Sequence, residues 1–223
     1  MSTAPTNAAD VRNRLQPLGF TETATVHLNL TPAELVEHAL RNGEGSLTDN
    51  GALMADTGKF TGRSPKDRFV VKDANTENSV WWGDINIPFA PDKFDQLHAK
   101  MVAYLADKDI YVREAYAGAN PDYQLKLRVV NEQAWHNLFC YNMFLRPEAG
   151  ADTTWTPDFS IICAPGFEAD PAVDGTRQPN FAIINFTKKM ILIGGTGYAG
   201  EMKKGIFGVL NYLLPHEHNT LSM

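Results

Sequence analysis

The chain has 223 residues, of which 43% are hydrophobic and 21% charged, and its formal net charge at pH 7 is −6. This length and composition are typical of a globular protein with one large domain or two small ones. The acidic balance argues against a nucleic-acid-binding surface. No apolar run in the sequence is long enough to span a membrane.

The two cysteines, Cys140 and Cys163, lie in apolar runs and do not form a CxxC pattern. Isolated thiols of this kind are typical of buried, reduced side chains, so we expect a cytoplasmic protein. The N-terminal sequence lacks the basic start and apolar run of a signal peptide. We expect residues 1–8 to be disordered and residues 9–223 to form a single domain.

The first predicted elements are two helices. One covers residues 9–16 and ends near Gly19. The other begins at Thr31, which is followed by a proline at the first helical position and by Glu34 at the third, and it continues to about residue 43.

Two predicted strands, at residues 51–55 and 68–72, flank the segment DTGKFTGRSPKD at residues 56–67. Its glycines, proline and charges predict a surface loop. Arg63 in this loop could present its planar donors to a carboxylate or phosphate. The alternative is an ordinary charged turn, which composition alone favours. The segment is not a Walker-type phosphate loop, because no GK[ST] follows a glycine at the required spacing.

Helices and strands alternate over the rest of the chain. Pro91 is expected to open a helix whose His98 and Lys100 lie off its apolar face and are solvated. Asn131 is expected to cap a helix that carries His136 in a packing role. The predicted strands cover residues 109–117, 124–130, 159–164, 181–186 and 189–193, and the second of these is half-buried because its Lys126 and Arg128 alternate with apolar residues.

Composition also predicts the environment of two further segments. The aromatic residues 80–89 are expected to pack at a strand or sheet edge, and residues 170–178 to form an exposed loop. The alternation of strands and helices predicts an α/β domain with a large mixed β-sheet and helices on both faces. Such sheets bind ligands beyond the carboxyl ends of their strands, which makes the turn at residues 194–204 a candidate site.

Lys203 and Lys204 lie near the start of the last predicted helix. Free N–H groups and the helix dipole favour an anion at this end of a helix. Two cations there are unfavourable for the helix itself, so an anion-binding site would explain their placement. The alternative is two solvated lysines.

Two other patterns in this region are weak. Gly195 to Gly200 fit the GxGxxG pattern of dinucleotide-binding proteins, but no second strand with an acidic residue follows, and Tyr198 places a bulky phenol in the turn. His216 and His218 follow a proline in a polar tail, and we interpret them as part of a solvated loop rather than a metal site.

Four segments together resemble the N-terminal portion of ATP-dependent phosphoenolpyruvate carboxykinases. They are DTGKFTGRSPKD at 56–67, WWG at 81–83, RQPNFAIINFTKK at 177–189 and GGTGYAGEMKKG at 194–205. The resemblance runs in chain order from about residue 15 to the end. It implies the N-terminal domain fold of that family, and the form of the Arg63 loop implies ATP rather than GTP.

The resemblance implies an enzyme of gluconeogenesis that converts oxaloacetate and ATP to phosphoenolpyruvate, ADP and carbon dioxide with Mn²⁺ or Mg²⁺. It implies that Arg63 holds the substrate carboxylate and the departing carbon dioxide, and that Tyr198 donates a hydrogen bond to the same group. It implies that Lys203 contacts phosphate or enolate oxygen. Lys204 would contact substrate and ATP phosphates and bind the metal as a neutral amine, with a lowered pKa.

In the family that these segments resemble, the Walker-type loop, the acidic metal ligand and the adenine site lie beyond the position that matches Met223. We therefore expect a substrate-binding domain without its C-terminal nucleotide-binding domain, inactive alone, with that domain as its partner and neither nucleic acid nor membrane. Two alternatives stay open. One is a dinucleotide-binding domain that uses Gly195 to Gly200, and the other is a non-enzymatic interaction module of the same fold.

Overall fold

The structure is a computed structural model that describes residues 8–21, 25–148 and 150–221. Its helices are α1 (Ala8–Leu15), α2 (Pro32–Arg41), α3 (Pro91–Leu105), α4 (Ala134–Met143), α5 (Pro171–Asp174) and α6 (Gly200–His218). Its strands are β1 (Thr25–Leu28), β2 (Gly45–Leu47), β3 (Leu53–Ala55), β4 (Arg68–Val71), β5 (Ile87–Phe89), β6 (Asp109–Ala117), β7 (Leu125–Asn131), β8 (Phe159–Ala164), β9 (Phe181–Asn185) and β10 (Met190–Gly194).

Eight of these strands form one mixed sheet in the order β1-β6-β7-β8-β10-β9-β4-β5. The pairs β6–β7 and β9–β10 are antiparallel, and the other neighbours in the sheet are parallel. Strands β2 and β3 form a separate antiparallel pair. The predicted α/β domain with a large mixed sheet is therefore confirmed.

Helices cover both faces of the sheet. Successive residues of a strand point to opposite faces, and in β10 Leu192 belongs to the cluster that contains buried residues of α1 and α3. Its neighbours Ile191 and Ile193 belong to the cluster that contains residues of α4 and α6. Because both faces are buried, the central strands are continuously apolar in sequence, and the predicted two-sided helical cover is confirmed.

The start of α2 and the end of the first helical segment follow their sequence signals. The Glu34 carboxylate accepts the Thr31 N–H at 2.8 Å, and the Thr31 hydroxyl oxygen accepts the Glu34 N–H at 3.4 Å, which together form a capping box. After α1 the chain makes one 3-10 turn and reverses at Gly19, whose φ of 88° lies in the left-handed region that favours glycine.

The apolar face of α3 is confirmed by four buried side chains, Phe94, Leu97, Met101 and Leu105. The two polar residues predicted to be solvated have defined partners instead. His98 Nε2 lies 3.0 Å from the Leu18 carbonyl oxygen, and Lys100 pairs with the buried carboxylate of Asp174. Both contacts come from elements distant in sequence, which a helical pattern does not reveal.

Arg128 contradicts the prediction that β7 is half-buried, because this side chain is buried with the rest of the strand's end. Its register partner in β6 is Glu114, and the Arg128 Nε donates to the Glu114 carboxylate at 2.9 Å. Arg14 of α1 reaches the same carboxylate at 3.3 Å. The burial of Arg128 follows from this pairing, since a buried charge is tolerated only with a partner.

Three further local predictions were wrong. Asn131 does not cap α4 but ends β7, where its side-chain oxygen accepts from the amide of Asn137, and Gln133 holds the cap position. The segment 170–178 is not a plain exposed loop, because Asp170 caps α5 through the Ala172 N–H.

The third is the segment with His216 and His218, which belongs to α6 rather than to a loop. Pro215 lies inside that helix without ending it, and both histidines fall in the last helical turn. There a protonated imidazole is favourable to the helix dipole.

The aromatic segment 80–89 supplies β5, the last strand on its side of the sheet, as predicted. Phe89 of this strand is buried and packs against Phe69. Two other large side chains of the segment are not packed, since Trp81 is 85% exposed and Ile85 is 78% exposed.

The cysteine prediction is confirmed, since both thiols are buried and free. The predicted disorder of residues 1–8 lies outside the described residues, apart from Ala8, where α1 begins. No helix in the described ranges combines the length and apolar character that crossing a membrane requires.

Replacing Leu97 by alanine is expected to lower the free energy of unfolding by about 2–5 kcal/mol, because this residue is fully buried between α3 and the sheet. Leu47→Ala removes an exposed side chain of β2 and should change it by less than about 0.5 kcal/mol. Urea unfolding followed by circular dichroism measures both. Equal effects would contradict the packing of α3 on the sheet.

Candidate anion-binding site

The sheet order brings two distant segments to one edge. β9 is antiparallel to β10 and parallel to β4, with Gly194 opposite Phe181 and Arg68 opposite Ala182. The start of β4 therefore lies beside the end of β10. The loop at 56–67, which leads into β4, and the turn at 195–199, which follows β10, meet at this edge.

The turn after β10 fits closely against that loop. Gly195 has a φ of 65°, and a Cβ at this position would lie 2.7 Å from the Pro179 carbonyl oxygen. A Cβ on Gly197 would lie 2.9 Å from the Thr57 carbonyl oxygen. A side chain at Gly197 would therefore push the turn away from the loop, whereas one at Gly195 would collide with the backbone that leads into β9.

The four sequence-predicted site residues, Arg63, Tyr198, Lys203 and Lys204, line one cleft of about 670 Å³ between the loop and the start of α6. The apolar part of the lining includes Trp135, Phe139 and Met143 of α4 and Phe207 of α6. The structure shows that these four residues, which come from two segments distant in sequence, line the same cleft: Arg63 from the loop, and Tyr198, Lys203 and Lys204 from the turn and α6. The catalytic, substrate-binding and metal-binding roles of the four residues stay predictions.

The cations of the cleft have no anionic partner among the described residues. Arg63 and Lys203 are exposed, and no salt bridge or hydrogen bond joins their side chains or that of Lys204 to the described part of the chain. The Lys204 Nζ lies 4.6 Å from the centre of the Phe207 ring. These side chains therefore retain their donors for a ligand.

Burial lowers the pKa of Lys204, and the positive charges of Arg68 and Arg63 lower it further, while Glu201 acts in the opposite direction. Burial is also the main cause of the lowered pKa of Arg68, with Arg63 again adding to the effect. Like charges close enough to disfavour each other's charged form are stabilised when an anion binds between them.

The C-terminal end of the loop is anchored through Asp67, which is buried although most of the loop is exposed, as predicted. Arg177 donates to both carboxylate oxygens of Asp67 at 2.9 Å. Gln178 donates to the same carboxylate at 2.6 Å. This two-pronged pairing fixes where β4 begins and therefore where Arg63 can lie.

Next to Arg63, the loop is tied directly to α6. The Ser64 N–H donates to Glu201 Oε1 at 2.8 Å, and Glu201 Oε2 lies 3.8 Å from Arg68 Nε. Glu201 is buried in the first turn of α6.

His136 supports the turn from the interior of the domain. It is fully buried, and its Nε2 lies 3.0 Å from the Gly197 carbonyl oxygen. A carbonyl oxygen only accepts, so Nε2 carries the proton, and Nδ1 is left to accept from the Cys163 thiol at 3.6 Å. Burial lowers the pKa of His136 to about 4. The predicted packing role is confirmed, and the packed imidazole also holds the turn that carries Tyr198.

For the metal ion that the resemblance implies, the described residues offer Lys204 as a candidate ligand. They contain no group of three or more His, Cys, Asp and Glu side chains that could hold a metal ion. Lys204 fits as one ligand, because its lowered pKa favours the neutral amine, whose lone pair can coordinate.

The dinucleotide interpretation of Gly195 to Gly200 finds little support in the geometry. The second glycine of that pattern must leave its backbone open to a pyrophosphate, whereas Gly197 faces the Thr57 carbonyl oxygen. A Cβ on Gly200 would lie 2.5 Å from the Tyr198 ring, so that ring occupies the space beside the helix start.

Sequence reasoning missed the residues that hold the cleft together: Asp67, Arg177, Glu201 and the apolar wall. Glu201 carried a usable signal, since an acid at the start of a helix with two adjacent lysines is a candidate partner. The pairing of Asp67 with Arg177 had no local signal, because it depends on β4 lying beside β9.

The fold and the site together define an α/β domain with three cations and a phenol in one cleft at the end of its central strands. A model of the phosphoenolpyruvate carboxykinase family matches residues 24–223, so the chain belongs to this family. The resemblance stated from the sequence is thereby confirmed.

Three relatives, all named phosphoenolpyruvate carboxykinase (ATP), illustrate the match. Identity to the protein of Flavobacterium johnsoniae is 56% over 209 residues, which is 94% of this chain and 39% of that protein. Identity to the Christiangramia forsetii protein is 58% over 200 residues, covering 90% and 38%. Identity to the Geobacillus kaustophilus protein is 52% over 193 residues, covering 86% and 37%. The chain thus spans about two-fifths of the length of these relatives.

The buried His136 predicts a specific loss of stability in acid. Its ordinary pKa of 6.5 is lowered to about 4 in the folded chain. As pH falls below 6.5, the unfolded chain takes up a proton that the folded chain refuses. Between pH 7 and pH 5 this should remove about 2 kcal/mol of the free energy of unfolding.

Urea unfolding of the wild type and of His136→Gln at both pH values isolates this effect, because other titrating groups contribute to both proteins. The wild type should lose about 2 kcal/mol more than the variant over this interval. Equal pH dependence in the two proteins would contradict a neutral, buried His136.

Proposed function

We propose that this chain forms the substrate-carboxylate side of the active cleft of an ATP-dependent phosphoenolpyruvate carboxykinase. The whole enzyme would convert oxaloacetate and ATP to phosphoenolpyruvate, ADP and carbon dioxide. The supporting observation is the convergence of Arg63, Tyr198, Lys203 and Lys204 on one cleft, with no anionic partner for the three cations among the described residues.

The proposed reaction builds negative charge on oxygen in both of its steps. Loss of the carboxylate breaks a carbon–carbon bond, and the electron pair moves toward the ketone oxygen to give the enolate of pyruvate. The enolate oxygen then forms a bond to the γ-phosphorus of ATP, and ADP leaves. Catalysis of such a reaction depends mainly on positioning and on fixed positive charge.

Each side chain of the cleft suits one part of this task. The Arg63 guanidinium would bind the departing carboxylate with two parallel donors, and the Tyr198 hydroxyl would donate to the same group. Lys203 would stabilise the enolate or phosphate oxygen. Lys204 would contact substrate and the ATP phosphates, and both lysines lie near the N-terminus of α6, whose dipole adds to their effect on an anion.

Lys204 would also hold Mn²⁺ or Mg²⁺ as one ligand, consistent with its lowered pKa. When bound, the ion would act as a Lewis acid toward carbonyl and phosphoryl oxygens. We propose that its other ligands and the adenine site belong to a C-terminal domain, by resemblance. We also propose that the enzyme acts in gluconeogenesis in the cytoplasm.

Oxalate, a planar dicarboxylate, is the probe that tests the cleft directly. Isothermal titration calorimetry should show oxalate binding to the 223-residue chain. Arg63→Ala should weaken it about 10- to 100-fold, the loss expected for charge-assisted hydrogen bonds.

Lys66→Ala is the matched control, because Lys66 is an exposed cation of the same loop that does not line the cleft. It should change the affinity for oxalate by less than about twofold. Equal losses in the two variants would contradict a specific carboxylate site. Binding of NAD without binding of oxalate would favour the dinucleotide alternative. A partner protein that still binds to Arg63→Glu, with no oxalate bound by the wild type, would favour the interaction module.

The 223-residue chain alone is expected to form no detectable phosphoenolpyruvate from oxaloacetate, ATP and Mn²⁺, because the nucleotide half of the cleft is proposed to belong to another domain. Phosphorus NMR of the reaction mixture measures the product. The full-length Flavobacterium johnsoniae relative, assayed in parallel, is the positive control. Turnover by the pure 223-residue chain would contradict this division of the cleft.

A further inference from the structure

We propose that Glu201 is a positioning residue, which holds Arg63 at a fixed distance from Lys204 through one hydrogen bond to the loop. This inference rests on the proposed function, because it concerns how the two sides of the anion site are kept together. It assigns a role to a buried carboxylate that faces the cations of the cleft without taking part in the chemistry.

The Glu201 carboxylate contacts one residue near the end of the loop and one at the start of β4. Its Oε1 accepts the N–H of Ser64, the residue that directly follows Arg63, at 2.8 Å. Its Oε2 lies 3.8 Å from the Nε of Arg68, at the start of β4. A single side chain of α6 therefore restrains the backbone on which Arg63 is carried.

The same side chain is rigidly linked to Lys204. The two residues are three positions apart on α6, so they are neighbours on the helix surface. The helix is fixed to the sheet by the fully buried Met202 and by Ile206. The backbone positions of Glu201 and Lys204 are therefore fixed relative to each other, and the Ser64 hydrogen bond extends this geometry to the residue next to Arg63.

A role in stability alone does not account for this arrangement. An acid in the first turn of a helix is favourable, but it has this effect when exposed to solvent as well. Glu201 is only 3% exposed, and its Oε2 has no hydrogen-bond partner among the described residues. The nearest charged partner of Oε2 is the Arg68 Nε at 3.8 Å. Burying a carboxylate oxygen with only this long ion pair carries a desolvation cost, so stability alone does not explain the position of Glu201.

Two variants of equal charge and similar size separate the hydrogen bond from the charge. Glu201→Gln keeps an oxygen that can accept the Ser64 N–H, whereas Glu201→Met fills the same space without an acceptor. Both remove the negative charge beside the cations. Glu201→Gln should bind oxalate at least as tightly as the wild type, and Glu201→Met should bind it about tenfold more weakly than Glu201→Gln, in proportion to one hydrogen bond lost.

The Arg63→Ala background distinguishes positioning from a general loss of structure. If Glu201 acts through Arg63, the difference between the Gln and Met variants should vanish when Arg63 is absent. Equal affinities of the two variants in a chain whose binding depends on Arg63 would overturn the positioning role alone. A difference that persists without Arg63 would overturn it too. Absence of oxalate binding by the wild type would instead overturn the proposed function and, with it, the positioning role.

Hydrogen exchange of the wild type gives a test that does not require any variant to fold. The Ser64 amide proton should exchange more slowly than that of Gly62 in the same loop, and oxalate should slow it further, because the ligand fixes Arg63 against α6. A Ser64 amide that exchanges like an open loop amide, with and without oxalate, would overturn the proposal.

Discussion

The pairing of β9 with β4 on one side and β10 on the other is the constraint on which the site depends. A strand that runs antiparallel to β10 and parallel to β4 places the start of β4 at the edge where β10 ends. The Arg63 loop and the start of α6, which carries Lys203 and Lys204, are separated by more than half of the chain, yet both lie next to that edge. The strand order therefore brings together the two segments that form the cleft.

The positive side chains in and beside the cleft repel one another, and a bound anion would reduce this repulsion. Burial lowers the pKa of Arg68 and of Lys204, and the positive charge of Arg63 lowers both further, while Glu201 acts in the opposite direction. Positive groups held in place before the ligand arrives need little reorganisation during reaction, which is the condition for effective stabilisation of developing negative charge. Each support of this arrangement has one buried side chain: Asp67 pairs with Arg177, Glu201 with the Ser64 N–H, and His136 with the Gly197 carbonyl.

Much of the fold was readable from local signals. The capping box at Thr31, the apolar face of α3 and the continuous apolar strands predicted their elements, because each depends on neighbours in sequence. The site residues were found through the charged loop, the glycine turn and the family resemblance. The sequence did not predict the cleft or the ion pairs that support the fold. Glu114 and Arg128 pair across neighbouring strands, and Asp67 and Arg177 meet only once β4 lies beside β9. Asn131 was misplaced for the same reason: a cap-forming residue type ends a strand because Asn137 supplies its partner.

A crystal structure of the 223-residue chain with oxalate tests the central claim most directly. The account predicts one oxalate in the cleft, with the Arg63 guanidinium and the Lys204 amine both within hydrogen-bonding distance of its oxygens and the Tyr198 hydroxyl beside it. Oxalate bound elsewhere, or contacts to Arg63 and Lys204 from separate ions, would contradict the claim that the two segments form one anion site.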